Sequence, residues 1–155
     1  MKNLFFLALL LFSFTMTTTS CDDDAEVIET VIDSSSPVGD LTVSRAGEII
    51  AQNDTNSQGR VEYGTDDAGT YFVRLGDDFQ TVLATGTVTV YLSTSDEFVA
   101  DPGNGNPDLQ LIGLAQTNGE LFYTLDSAID SRFTHLILWC ASANIPFGYA
   151  ALDQN

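Results

Sequence analysis

The side chains with nucleophilic or soft-ligand chemistry are few: two cysteines, Cys21 and Cys140, and one histidine, His135, in 155 residues. A thiolate can act as nucleophile, redox group or metal ligand. Cys140 ends the most apolar run of the chain, Thr134-His135-Leu136-Ile137-Leu138-Trp139-Cys140. A cysteine in that setting has two readings. One is a core residue, since free cysteine is among the most buried residue types. The other is a reactive thiolate, which calls for a crevice or a neighbouring arginine such as Arg132. A single thiol cannot cycle through an internal disulfide. Redox use would therefore need a cofactor, a mixed disulfide, a sulfenic acid or a second protomer.

Metal chemistry is narrowed by counting ligands. One histidine, with no methionine after Met16, cannot supply a bis-His or His-Met haem site within one protomer. Blue copper needs two histidines beside its cysteine, and zinc lacks soft ligands in the same way. His135 and Cys140 lie five apart on an expected strand, so their side chains face opposite sides. Cofactor identity stays open. Hard oxygen donors recur at Asp101, Asn104, Asn106 and Asp108, in the loop Asp101-Pro102-Gly103-Asn104-Gly105-Asn106-Pro107-Asp108. Calcium takes six to eight such oxygens. The spacing is not that of an EF-hand, and the bidentate glutamate is missing. A plain acidic loop is the competing reading.

Enzyme chemistry finds little support. Lys2 is the only lysine, so Schiff-base catalysis has no candidate beyond it. A serine triad would have to use His135 from an apolar strand. Carboxylate pairs are always nominally available among 22 acids and carry no weight. Tyr63, Tyr71, Tyr91, Tyr123, Trp139 and Tyr149 could form a sugar platform, but their alternation within strands reads as core packing.

The formal net charge is -17, from 5 Lys plus Arg against 22 Asp plus Glu. That balance excludes nucleic acid as a partner, because phosphate contacts need cations. It excludes a polybasic grip on anionic lipid as well. A cationic partner would suit such a surface, which equally keeps molecules apart. The hydrophobic fraction of 44% is too high for a disordered acidic chain.

The N-terminus reads as a targeting segment. Met1-Lys2-Asn3 is a short positive start, and Leu4 to Phe12 is unbroken apolar sequence. The run is shorter than the roughly 20 residues of a membrane-spanning helix and fits a secretory signal peptide. Thr17-Thr18-Thr19-Ser20-Cys21 resembles a bacterial lipoprotein signal, although Thr18 stands where that pattern commonly has leucine. The resemblance implies cleavage before Cys21 and lipid on its thiol and amino group. The membrane partner would then be reached through the anchor alone. Cys21-Asp22-Asp23-Asp24 is similar to an export tag for the outer face of the outer membrane, which implies an outer-membrane location facing the cell exterior. The expected organisation is a signal peptide over 1–20, a lipidated acidic tether over 21–37 and one β domain over 38–155.

The remainder is strand-like. Leu41 and Val43 alternate with polar residues, and Gly47 to Ala51 suggests a further strand. Arg60 to Tyr63 and Thr70 to Leu75 flank the turn-rich Gly64 to Gly69, as in a hairpin. Gly76-Asp77-Asp78-Phe79 reads as a turn with an aromatic plug. Thr87 to Leu92, Leu109 to Leu114, Leu121 to Leu125 and Phe147 to Leu152 complete the set. Asn118-Gly119 suggests a hairpin between two of these. Thr134 to Cys140 should be a central strand covered on both sides. Only Asp126 to Phe133 has room for a helical turn. About eight short strands predict an all-β fold, a single antiparallel β-sandwich or partly open barrel.

Several of these segments together resemble the DM13 domain. The matching pieces are Asp78-Phe79-Gln80-Thr81, Val90-Tyr91-Leu92-Ser93, Gly119 through Tyr123-Thr124-Leu125, Leu138-Trp139-Cys140 and Phe147-Gly148-Tyr149-Ala150-Ala151-Leu152. Thr87 stands where that family usually has proline. The likeness spans roughly residues 45 to 152. It implies an extracellular β-sandwich proposed to take part in electron transfer, with Cys140 in the place of the proposed redox cysteine. The expected function is an accessory redox domain working with a redox or surface protein partner. The alternative is a non-catalytic surface module that binds protein, carbohydrate or calcium and holds Cys140 in its core.

Overall fold

A computed structural model describes residues 36–99 and 106–155. The chain runs through β1 (Thr42–Glu48), β2 (Ile50–Ala51), β3 (Arg60–Thr65), β4 (Tyr71–Leu75) and β5 (Val88–Ser93). It continues through β6 (Leu109–Leu114), β7 (Leu121–Leu125), β8 (His135–Cys140), β9 (Ile145–Ala151) and β10 (Asp153–Gln154). The strands form two antiparallel five-stranded sheets that face each other without closing into a barrel. The first sheet has the order β10-β1-β3-β4-β7 and the second β2-β9-β8-β5-β6. The all-β sandwich expected from the strand pattern is the fold observed.

Period-two alternation builds the core between the sheets. Val61 and Tyr63 of β3, Val73 and Leu75 of β4, and Tyr123 and Leu125 of β7 point inward from the first sheet. Val88, Val90 and Leu92 of β5 meet them from the second sheet, with Leu136, Leu138 and Cys140 of β8. Phe79 closes one end as a fully buried plug, and its N–H donates to Gly76 O at 3.0 Å.

Three local expectations change. Gly47 to Ala51 is not one strand: Glu48 ends β1 in the first sheet, and Ile50 begins β2 in the second. Asn118-Gly119 does not join a hairpin, because β6 and β7 are edge strands of opposite sheets. The turn is spent on a crossing instead. Gly119 takes φ +89°, its N–H donates to Phe79 O, and Asn118 Oδ1 accepts the Thr81 N–H. Residues 126–133 form bends and a turn, without helix.

The polar loop after β2 is fastened by buried hydroxyls. Thr55 Oγ1 donates to Phe147 O at 2.6 Å and pairs with Ser57 Oγ at 2.9 Å, which pairs with Thr81 Oγ1 at 2.8 Å. Each of these three hydroxyls thus has a partner, as burial demands.

The outer faces of the two sheets differ sharply. On the first sheet, Arg60 bridges Glu48 and Glu62, and Arg74 bridges Glu62 and Glu120, at 2.7–3.3 Å. This ladder of alternating sign crosses the sheet. The strands of the second sheet contain no Asp, Glu, Lys or Arg at all.

Candidate functional site

Cys140 is the last residue of β8, the central strand of the second sheet, and is paired with Val88 and Ile145. Its side chain points inward and is 0% exposed. Beyond it the chain reverses over Ala141 to Asn144. Asn144 adopts φ +56°, which asparagine tolerates well, and its N–H donates to Cys140 O at 2.8 Å. The reversal brings a hydroxyl over the thiol: Ser142 Oγ lies 3.4 Å from Cys140 Sγ and donates to Thr85 O at 3.2 Å. Burial pushes the thiol up. Hydrogen bonding around the sulfur, that of the Ser142 hydroxyl first, outweighs it, so the net direction is down. Arg132 is at the other end of β8. It is paired with Asp108 and Asp130 and stacks on Phe133, 4.9 Å from the ring centre. The thiol therefore has a polar cap but neither an arginine neighbour nor a solvent path.

The hard-ligand set is divided. Asp101 and Asn104 lie outside the described residues. Asn106 Oδ1 accepts the Asp108 N–H at 2.9 Å, and the Asp108 carboxylate faces Arg132 at 3.7 Å. Asn106 Nδ2 donates to Val99 O. Among the described residues, no three His, Cys, Asp or Glu side chains cluster as a metal site. Cys21 lies outside the described residues.

The six aromatic candidates separate by face. Tyr63, Tyr71 and Tyr123 belong to the first sheet and face the core. Tyr63 and Tyr71 stack at 6.2 Å, and burial pushes the Tyr123 phenol up. Tyr91, Trp139 and Tyr149 lie on the outer face of the second sheet, half-buried. The expectation that all six pack in the core thus fails for these three. Alternation places a residue on one of two faces but does not say which face is covered.

On that outer face one apolar row crosses all five strands. The register pairs Ile50 with Tyr149, Tyr149 with Ile137, Ile137 with Tyr91, and Tyr91 with Leu111. Ile137, in the middle, is 0% exposed, shielded by its neighbours, while Ile50 and Leu111 at the two ends are 54% and 57% exposed. One step along, Trp139 is stacked by Phe98 at 3.9 Å and 12°, and Tyr91 meets Phe98 edge-on at 5.2 Å. At the other end His135 lies 6.3 Å from Tyr149, tilted by 47°. Phe98 escaped the sequence reading because it follows Asp96 and Glu97 in a loop, outside any alternating run.

Comparison with family models, characterised proteins and solved structures finds no match to this chain. What the site can do therefore rests on its own chemistry. A thiol without access cannot exchange. An aromatic sheet face whose strands carry no charge, half-exposed beside the Phe98 that stacks on Trp139, has the make-up of an interface centre: aromatic residues enriched and charged ones depleted.

Proposed function

We propose that this chain is an exported, lipid-anchored, non-catalytic binding module whose partner sits on the outer face of the second sheet, with Cys140 as a core residue. One observation carries the reading: the acid-free aromatic row from Ile50 to Leu111 on a chain of net charge -17. With so many carboxylates to place, a sheet with none on five strands is a segregated surface. Large half-exposed rings cost solubility unless something covers them. The signal and the acidic tether fit display outside the cell, with Cys21 carrying the lipid. The DM13-like motifs fit the same location.

Hydroxyl-radical footprinting on intact host cells tests the reading. Trp139, Tyr91 and Tyr149 are expected to be protected on cells and labelled in the purified protein. Equal labelling in both would sink it.

The lowered thiol of Cys140 favours a second reading, redox use of that residue. It requires an opening motion and a co-reactant. A visible absorption band in protein from the native host, shifting on reduction and absent in Cys140→Ser, would establish it. A spectrum of aromatic absorption alone would remove its chromophore form.

A further inference from the structure

We infer that two copies of this chain associate through β6, the two edges pairing antiparallel across a two-fold axis so that one second sheet continues into the other. Such pairing leaves the outer face open for the partner proposed above and does not depend on it. β6 ends the second sheet, and among the described residues it is paired as a strand with β5 alone. One side of its backbone is taken up by β5. The far side keeps a row of N–H and C=O groups, and a row of that kind is a template for another strand. On the first-sheet side, Leu114 O accepts the Tyr123 hydroxyl at 3.2 Å. The four sheet edges are not equal. β2 and β10 are two residues long, too short to template a strand. β7 is flanked in sequence by Glu120 and Asp126, acids that hold a second acidic chain away. β6 reads Leu109-Gln110-Leu111-Ile112-Gly113-Leu114, six residues with neither a charge nor a proline. Asp108, just before it, faces Arg132 at 3.7 Å. Its one irregularity is a bulge opposite Val90 and Tyr91, and Ile112, which the register skips there, packs against the core.

Exposed apolar side chains sit at the same rim, Leu111 at 57% and Leu114 at 47%. Leu111 ends the apolar row that begins at Ile50. A two-fold axis at β6 sets the row of one copy end to end with that of the other and covers Leu111 and Leu114 of both. Charge selects a second copy as the occupant. A cationic strand finds no carboxylate on β6 and is drawn to the acid elsewhere on a chain of net charge -17. An acidic strand is repelled. The complement is an uncharged apolar strand, and β6 is itself one. Two copies repel each other wherever they present acid, and the strands of the second sheet hold none. A closed two-fold uses the edge once in each copy, so growth stops at the dimer.

The test is sedimentation equilibrium of the full chain in density-matched detergent, with hydrogen exchange read at low and high protein concentration. A single joined edge falls below the size of stable interfaces, so the dimer is expected to be weak, with a Kd of about 10 μM to 1 mM. The mass should approach twice that of the monomer as concentration rises, and the amides of Leu109 to Leu114 should exchange more slowly. Added salt should tighten the dimer, because it screens the net charge. Leu111→Glu and Leu114→Glu each set like charges across the seam and should return the monomer. Both sites are exposed, so thermal melts of the variants should match the parent. The exchange data give the same answer without any substitution. A chain still monomeric at about 1 mM would overturn the inference. So would a dimer whose β6 amides exchange as fast as in the monomer. A dimer that shields Tyr149 from hydroxyl radicals, and not the β6 amides, would place the second copy on the outer face and overturn the edge. Protection of Trp139 on cells is read separately, so failure of the dimer leaves the binding face standing.

Discussion

The thiol of Cys140 shows how one residue can carry two opposed signals. Its burial is complete, yet the Ser142 hydroxyl lies 3.4 Å from the sulfur. The pocket is thus polar at the sulfur and apolar around Cβ. Cys140→Ser should accordingly be mild, below about 1 kcal/mol, since the cap already satisfies a hydroxyl. Cys140→Leu, which must displace that cap, should cost about 1–3 kcal/mol in urea unfolding. A Ser change as costly as the Leu change would show the cap to be misassigned. Sequence alone offered both fates for this thiol. The deciding feature is the reversal at Asn144, which brings Ser142 back over the sulfur, and a left-handed asparagine in a short loop has no periodic signature. The buried chain Thr55–Ser57–Thr81 was equally illegible, because Ser57 and Thr81 are 24 apart in sequence.

Among the elements, strand existence was legible and sheet membership was not. β3, β4 and β8 follow from alternation and apolar runs. The crossing at Asn118-Gly119 does not, since its dipeptide reads as a hairpin whether or not its strands pair. The ladder on the first sheet makes its own prediction. Arg60 and Arg74 hold the Glu62 carboxyl below the usual carboxylate range, against the upward push of burial. Backbone N–H groups, that of Val38 foremost, hold Asp66 low as well. Both folded values lie below the unfolded ones. Their stabilisation is therefore present in full above the ordinary carboxylate range and is lost as pH falls through the lowered values. Acid unfolding monitored by circular dichroism should begin below about pH 4, and Glu62→Gln should flatten that acid limb. An unchanged limb would contradict the ladder. Gly59 gives a sharper case. It sits at φ +124°, and a Cβ there would lie 2.6 Å from Phe79 Cα, so Gly59→Ala should cost about 2 kcal/mol or more and disturb the Phe79 plug. A near-neutral melt would show that the loop yields.

Taken as a whole molecule, the chain sorts its charge by face. Ion pairs spread across one sheet, and the other sheet is left uncharged and aromatic. Composition gave the excess of acid but not its placement, which depends on which strands share a sheet. Attachment is a separate prediction at this scale: Cys21→Ala protein from the native host should lose the lipid mass and leave the membrane fraction. Retention of both would remove the anchor without touching the binding face.

In the proposed function the working surface is the outer face of the second sheet and not the thiol beneath it. Trp139 and Cys140 are adjacent in β8 and point to opposite sides, so one sample compares the two directly. In folded Cys21→Ser protein, where Cys140 is the only thiol, quenching of Trp139 and modification of Cys140 are measured together. Trp139 is expected to be quenched from solvent while Cys140 reacts only at the rate of global unfolding. A thiol that reacts in the folded state at the rate of a free cysteine, beside a tryptophan that no quencher reaches, would contradict it.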